Sequence, residues 1–127
     1  MAYLLDTHTL LWYHNGDSQL SVKAKEILDN TDVQKYFSIA SFWEIAIKIS
    51  VKKLRLDYSF NELHEKIVVR NIPVLNININ HTETISNLPL HHRDLFDRMI
   101  IAQSITEDLT IISKDKNFSL YPIKLLW

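Results

Sequence analysis

Short, continuous apolar runs alternate along this chain with longer stretches whose apolar residues recur at helical spacing. Tyr3-Leu4-Leu5, Tyr36-Phe37-Ser38-Ile39, Pro73-Val74-Leu75, Thr110-Ile111-Ile112-Ser113 and Ile123-Lys124-Leu125-Leu126 read as strands. Leu10, Leu11 and Trp12 mark a helical stretch that breaks at Asn15-Gly16. Ser21 caps a second helix through Lys25 to Leu28, stopped near Asn30. From Ser41 to Lys53, Phe42, Ile45, Ala46 and Ile49 follow i, i+3, i+4, i+7 spacing. Trp43, Ile47 and Val51 make a second face apolar, which predicts a well-buried helix. Ser59-Phe60-Asn61-Glu62 is a capping-box pattern opening a helix to about Arg70. A small helix is predicted over His81–Leu88 and a longer one over Asp94–Glu107, after Pro89. Strands alternating with helices, and strands apolar without alternation, predict an α/β fold whose sheet is mostly parallel and covered on both faces. In such sheets ligands bind beyond the carboxyl ends of the strands.

Composition narrows the class. A chain of 127 residues is expected to form one domain over 1–127 and to bury roughly two-thirds of its unfolded surface. One Gly and three Pro argue against long flexible linkers. The net charge of -1 supplies no global basic footprint, so any nucleic-acid surface has to be local. Absence of Cys excludes disulfides, thiolate zinc sites and a cysteine nucleophile. Met1 to Asp6 reads as a strand rather than a signal peptide, and no stretch approaches the ~18 apolar residues of a membrane span. A cytoplasmic location with no membrane partner is the expectation.

Asp6, Glu44, Asp97 and Asp115 share one kind of position, just past a predicted strand or in the first turn of the helix that follows. The fold brings such positions to one rim of the sheet. Each acid alone has a structural explanation. Asp6 fits a cap, and Asp115 an ordinary turn. Glu44 fits a Ser41-x-x-Glu44 capping box and an i+4 pair with Lys48. Asp97 fits a dipole-favoured first-turn acid behind an Asp94 cap. Four carboxylates on one rim repel one another unless a cation lies among them. Oxygen donors without Cys or paired-His spacing suit Mg2+ or Mn2+, and such sites hydrolyse phosphodiesters. Thr7, Thr9 and Ser113 are near enough in sequence to hold the carboxylates through their hydroxyls, although hydroxyls there are as often caps.

Four strings carry a family resemblance: Leu5-Asp6-Thr7-His8-Thr9-Leu10-Leu11-Trp12, Ser41-Phe42-Trp43-Glu44-Ile45-Ala46-Ile47-Lys48, the run from His91 to Gln103, and Ser113-Lys114-Asp115. Together they resemble PIN-domain ribonucleases, most closely the VapC-type toxins of bacterial type II toxin–antitoxin systems. The resemblance spans the chain in order. It implies a PIN-like α/β/α sandwich and a Mg2+- or Mn2+-dependent endoribonuclease. It also implies a homodimer neutralised by a cognate antitoxin, and it places the family's acids on Asp6, Glu44, Asp97 and Asp115. Two departures bear on loop shape: Leu95 stands where this subfamily often has Pro, and Lys52 where it often has Gly.

An RNA substrate needs local positive charge. Lys48, Lys52, Lys53 and Arg55 form the densest basic run, and Arg93 and Lys114 flank other acids. All six are RNA-contact candidates, against the alternative of a solvated surface. His91-His92 could contact phosphate or shape its loop, while Trp12 and Trp43 read as core or interface anchors. An antitoxin needs an apolar groove, for which the 41–53 helix and Leu10, Leu11 and Trp12 are candidates. Two alternatives remain open. One is a non-catalytic PIN-like module that binds RNA or protein. The other is a phosphoacceptor signalling domain, which usually wants paired acids after its first strand, where Thr7 follows Asp6 here.

Overall fold

The computed structural model describes residues 1–127. Five strands, β1 (Tyr3–Leu5), β2 (Lys35–Ser38), β3 (Val74–Leu75), β4 (Thr110–Ile112) and β5 (Leu125–Leu126), alternate with helices. The helices are α1 (Thr7–Asn15), α2 (Val22–Asp29), α3 (Ile39–Ser50), α4 (Phe60–Val69), α5 (Ile79–Ser86) and α6 (Leu95–Glu107), with a 3-10 turn at Lys116–Leu120. The strands form one sheet in the order β3-β2-β1-β4-β5, and every pairing is parallel. The chain builds outward from β1 through β2 to β3, then crosses back to β4 on the other side.

Register explains why two cores form. Leu5 lies opposite Phe37 on β2 and Ile112 on β4. These three face a core completed by Leu10, Leu28, Ile45, Leu63 and Ile67 from α1 to α4. Leu4 and Ile111, one residue earlier, point the other way onto Ile100, Ile101, Phe118 and Tyr121. Right-handed crossovers put helices on opposite faces before and after the chain reverses direction in the sheet, and the cores divide in that way. The expected α/β/α layering is therefore present.

The structure shifts α3. It begins at Ile39 rather than Ser41, with Ser38 as its cap accepting from the Ala40 N–H at 3.0 Å. Strand β2 runs directly into α3 with no loop, so Ile39 is helical and not part of the strand. Glu44 consequently lies in the second turn and does not form a capping box with Ser41. Nor is α3 well buried: Phe42 and Ile45 enter the core, but Trp43 is 55% exposed, and Ile39, Ile47 and Val51 are exposed as well. Helix α5 starts two residues early, because Asn78 and His81 form a reciprocal capping box.

Both departures from the family strings fall at positions with a backbone reason. Lys52 has φ 61, the left-handed region in which a side chain costs energy and glycine does not. Leu95 is the first residue of α6, where proline is favoured because that N–H is unpaired within the helix. Asp94 before it has φ -66 and ψ 117, close to what a following proline requires. Lys52→Gly and Leu95→Pro should each raise stability by about 0.5–1 kcal/mol in urea denaturation.

Candidate acidic site at the carboxyl rim

Strands β1 and β4 are neighbours at the point where strand order reverses, and such a point opens a crevice beyond the strand ends. Asp6 follows β1 directly and Asp115 follows β4 by three residues. Asp97 sits in the first turn of α6, and Glu44 one turn further into α3. Asp6 caps α1 and Asp115 caps the 3-10 turn. A helix N-terminus offers a partial positive charge and free N–H groups, which is why acids are tolerated there.

A hydroxyl network stitches three of the four together. Asp6 accepts from the Thr7 N–H at 2.7 Å on Oδ1 and from Ser113 Oγ at 2.8 Å on Oδ2. Ser113 Oγ in turn accepts from the Asp115 N–H at 3.0 Å. Thr7 Oγ1 lies 2.8 Å from both Glu44 Oε1 and Ser41 Oγ. A carboxylate only accepts, so the Thr7 hydroxyl donates toward Glu44, with Ser41 Oγ as a second acceptor in reach. The other carboxylate oxygen of Glu44 takes Lys48 Nζ at 2.7 Å. Thr7 and Ser113 therefore touch the acids, whereas Thr9 does not. Its hydroxyl donates to the Ile112 carbonyl at 2.9 Å and fastens α1 to β4.

Asp97 is held separately. Tyr121 Oη accepts from the His92 N–H at 3.2 Å and from Arg98 Nη1 at 3.2 Å. Both lone pairs are used, so its own proton goes to His92 Nδ1, 2.8 Å away. That fixes the neutral tautomer with the proton on Nε2, which donates to Asp97 Oδ2 at 3.3 Å. Asp94 stays a cap, accepting from the Phe96 and Asp97 N–H groups at 3.0 and 2.9 Å.

Burial and neighbouring charge both act on the acids. Asp97 is pushed up to about 8, chiefly by burial and then by the charges of Asp6, Asp94, Asp115 and Glu44. Burial pushes Asp6 up too, with a contribution from Glu44, against the Ser113 and Thr7 hydrogen bonds and His8, which pull it down. As they stand, no three carboxylate or imidazole side chains converge tightly enough to ligate one ion together. The donor set still fits a hard cation: Mg2+ keeps several waters and takes one or two carboxylates directly. Asp97 is raised first by its burial and then by the negative charge around it, and a bound cation would offset both.

The basic candidates scatter. Lys48 is committed to Glu44, and Lys114 Nζ lies 5.9 Å from the centre of the Trp12 ring. Arg93 is exposed beside Asp94. Lys52, Lys53 and Arg55 are exposed beyond the end of α3, whose last helical residue is about 9 Å along the axis from Glu44. Three polar residues missed as site neighbours are Ser41, His92 in its contact with Asp97, and Tyr121. Ser41 had a signal, standing three residues before Glu44 on one helical face. Tyr121 had none, being 24 residues beyond Asp97.

No curated protein sequence matches this chain. Solved structures do, at low identity. A chain of VapBC2 from Rickettsia felis, bound to a promoter DNA fragment, aligns with TM-score 0.75 and 16% identity, covering 99% of this chain and 98% of that one. A chain of DNA-bound VapBC from Salmonella typhimurium gives TM-score 0.74 and 15% identity over 99% and 97%. A chain of a toxin–antitoxin complex from Klebsiella pneumoniae gives 0.67 and 20% over 98% and 96%. These likenesses carry the fold. The family rests on the sequence itself, for the PIN domain profile matches residues 3–124, nearly the whole chain. This chain belongs to the PIN domain family.

Proposed function

We propose that this protein is a metal-dependent endoribonuclease and the toxin of a type II toxin–antitoxin pair, with Asp6, Glu44, Asp97 and Asp115 as its catalytic and metal-binding acids. One observation carries the reading: Asp6 and Asp115 at the ends of β1 and β4, Glu44 tied to Asp6 through Thr7, and the half-buried Asp97 all stand at one rim of the sheet. Structural likeness to chains of a toxin–antitoxin complex and of VapBC complexes supports the toxin assignment. The protein's partners on this reading are RNA, an antitoxin and a second copy of the chain. The strand order 3-2-1-4-5 disfavours the phosphoacceptor alternative, whose doubly wound sheet runs 2-1-3-4-5. A binding-only PIN module remains the alternative that the cleavage assay decides.

Mg2+ or Mn2+ bound among these acids would lower the pKa of a bound water and offset charge on the phosphoryl oxygens. The chain's own groups prepare that site. Ser113 and the Thr7 N–H fix Asp6, Thr7 and Lys48 fix Glu44, and His92 orients Asp97. Without a cation, Asp97 keeps its proton at neutral pH. Lys48 pairs with Glu44 and Lys114 lines a cavity with Asp6 and Asp115, while Arg93, Lys52, Lys53 and Arg55 would meet RNA further along. The exposed Ile39, Trp43 and Ile47 face of α3 continues through Trp43 onto Phe96, ring centres 5.2 Å apart, beside Leu95 at 70% exposure. That apolar surface is the proposed contact between two copies.

Asp6→Asn and Asp97→Asn should each lower RNA cleavage by at least ~100-fold, with a circular dichroism spectrum like the wild type. Cleavage should vanish on chelation and return with Mg2+ or Mn2+. Wild-type-like activity in either variant, or in excess EDTA, would sink the assignment. A second expectation concerns stability without metal. The folded chain holds the Asp97 proton up to about pH 8, while the unfolded chain loses it near 3.8. The Asp97 contribution to stability should therefore fall as pH rises between those values, against a rise below 6.5 from His14, which burial holds down to about 4. Asp97→Asn should flatten that fall, and millimolar Mg2+ should raise the melting temperature most at its upper end. A melting-temperature difference between wild type and Asp97→Asn that stays constant from pH 5 to 8 in EDTA would contradict the charge argument. Finally, Trp43→Glu should convert a dimer to a monomer in analytical ultracentrifugation.

A further inference from the structure

Beside the acids lies a cavity of about 350 Å3 lined by Asp6, His8, Trp12, Gln19, Lys114 and Asp115. Two of its walls are the carboxylates of the candidate site, so whatever fills it is held directly against the reacting position. Its one hydrophobic lining residue is aromatic. Trp12 is half-buried and fixed at its edge by Trp127, ring centres 5.9 Å apart at 65°. His8 lies one helical turn earlier, 5.9 Å from the same ring, and Lys114 Nζ lies 5.9 Å from its centre. Gln19 is exposed and tied down only through its backbone N–H, which donates to Asp17 Oδ1 at 2.9 Å. Its amide is free to both donate and accept.

We infer that this cavity is a nucleobase subsite adjoining the site of cleavage, with Trp12 as the stacking face and Gln19 reading the base edge. The inference rests on the nuclease reading for its biological role, but not for its test. A base is a flat apolar ring with a polar rim, and the cavity has that division: one aromatic wall, with amide, imidazole, ammonium and carboxylate groups around it. An apolar peptide side chain would find too little hydrophobic lining here. Lys114, which lines the cavity together with Trp12 and Asp115, supplies the cation for the phosphate that joins the bound base to the next nucleotide. In the cut RNA, the nucleotide in this cavity would set sequence preference, because stacking accepts any base while the Gln19 amide does not.

The test uses the full-length wild-type chain in Mg2+ and the four nucleoside 5′-monophosphates, none of which contains a bond for it to cleave. The probe is the indole N–H NMR resonance of Trp12, assigned with Trp12→Phe. At least one monophosphate should shift that resonance saturably while leaving Trp43 in place, and inorganic phosphate should not. On RNA, Trp12→Ala should lower kcat/KM about 10- to 100-fold, the worth of one stacked base, with Trp12→Phe recovering most of it. Gln19→Ala should alter which bases flank the cut. No shift with any nucleotide, an equal shift with inorganic phosphate, or full cleavage by Trp12→Ala overturns the subsite. A Trp12 shift produced only by a protein partner assigns the cavity to protein binding instead. If the wild type cleaves no RNA, the nuclease reading fails while the resonance still decides the cavity.

Discussion

Strand β1 is three residues long, yet it is paired on both sides and its ends place nearly everything else. Leu4 and Leu5 are fully buried on opposite faces, each stabilising the fold by about 1.5–3 kcal/mol. Because parallel pairing fixes Leu5 level with Phe37 and Ile112, the residues that follow, Asp6, Ser38 and Ser113, reach the rim together. Asp6 and its partner Ser113 thus come together through sheet register, while helices α3 and α6 bring Glu44 and Asp97 to the same rim.

Those groups are in fact mutually repulsive, and the structure offsets the repulsion only in part. Helix and turn N-termini, Thr7, Ser113, Lys48 and His92 each give a carboxylate a donor. Asp97 receives the weakest support, one imidazole N–H at 3.3 Å, and its carboxyl is the one pushed up to about 8. A fold optimised for stability alone would not leave a half-buried carboxylate so placed. Function is the ordinary reason for such a residue.

Most of the layering could be read from the sequence, because a strand buried on both faces leaves an unbroken apolar run and a helix leaves its period. The four acids could be read from where those runs end. What escaped depends on side chains that meet across long separations. Ser38 looks like strand yet caps α3, since one serine serves both elements when no loop intervenes. The apolar residues of α3 predicted burial on every side, but periodicity cannot tell a core from a surface kept for a partner. Tyr121 determines which nitrogen of His92 faces Asp97, and nothing local to either residue announces it.

The direct passage from β2 into α3 has a consequence for how this chain can vary in length. Between Leu5 and Thr7 and between Ser38 and Ile39 there is at most one residue outside regular structure. An insertion at either junction would rotate the following helix by about 100° and turn Asp6 or Glu44 away from the rim. The stretch at 51–59 lies outside regular elements, holds none of the four acids or their partners, and can lengthen without moving an acid. Variation in size, and with it any tailoring of what docks on the outside, falls to loops of that kind, while the spacing across the rim is locked by the backbone itself.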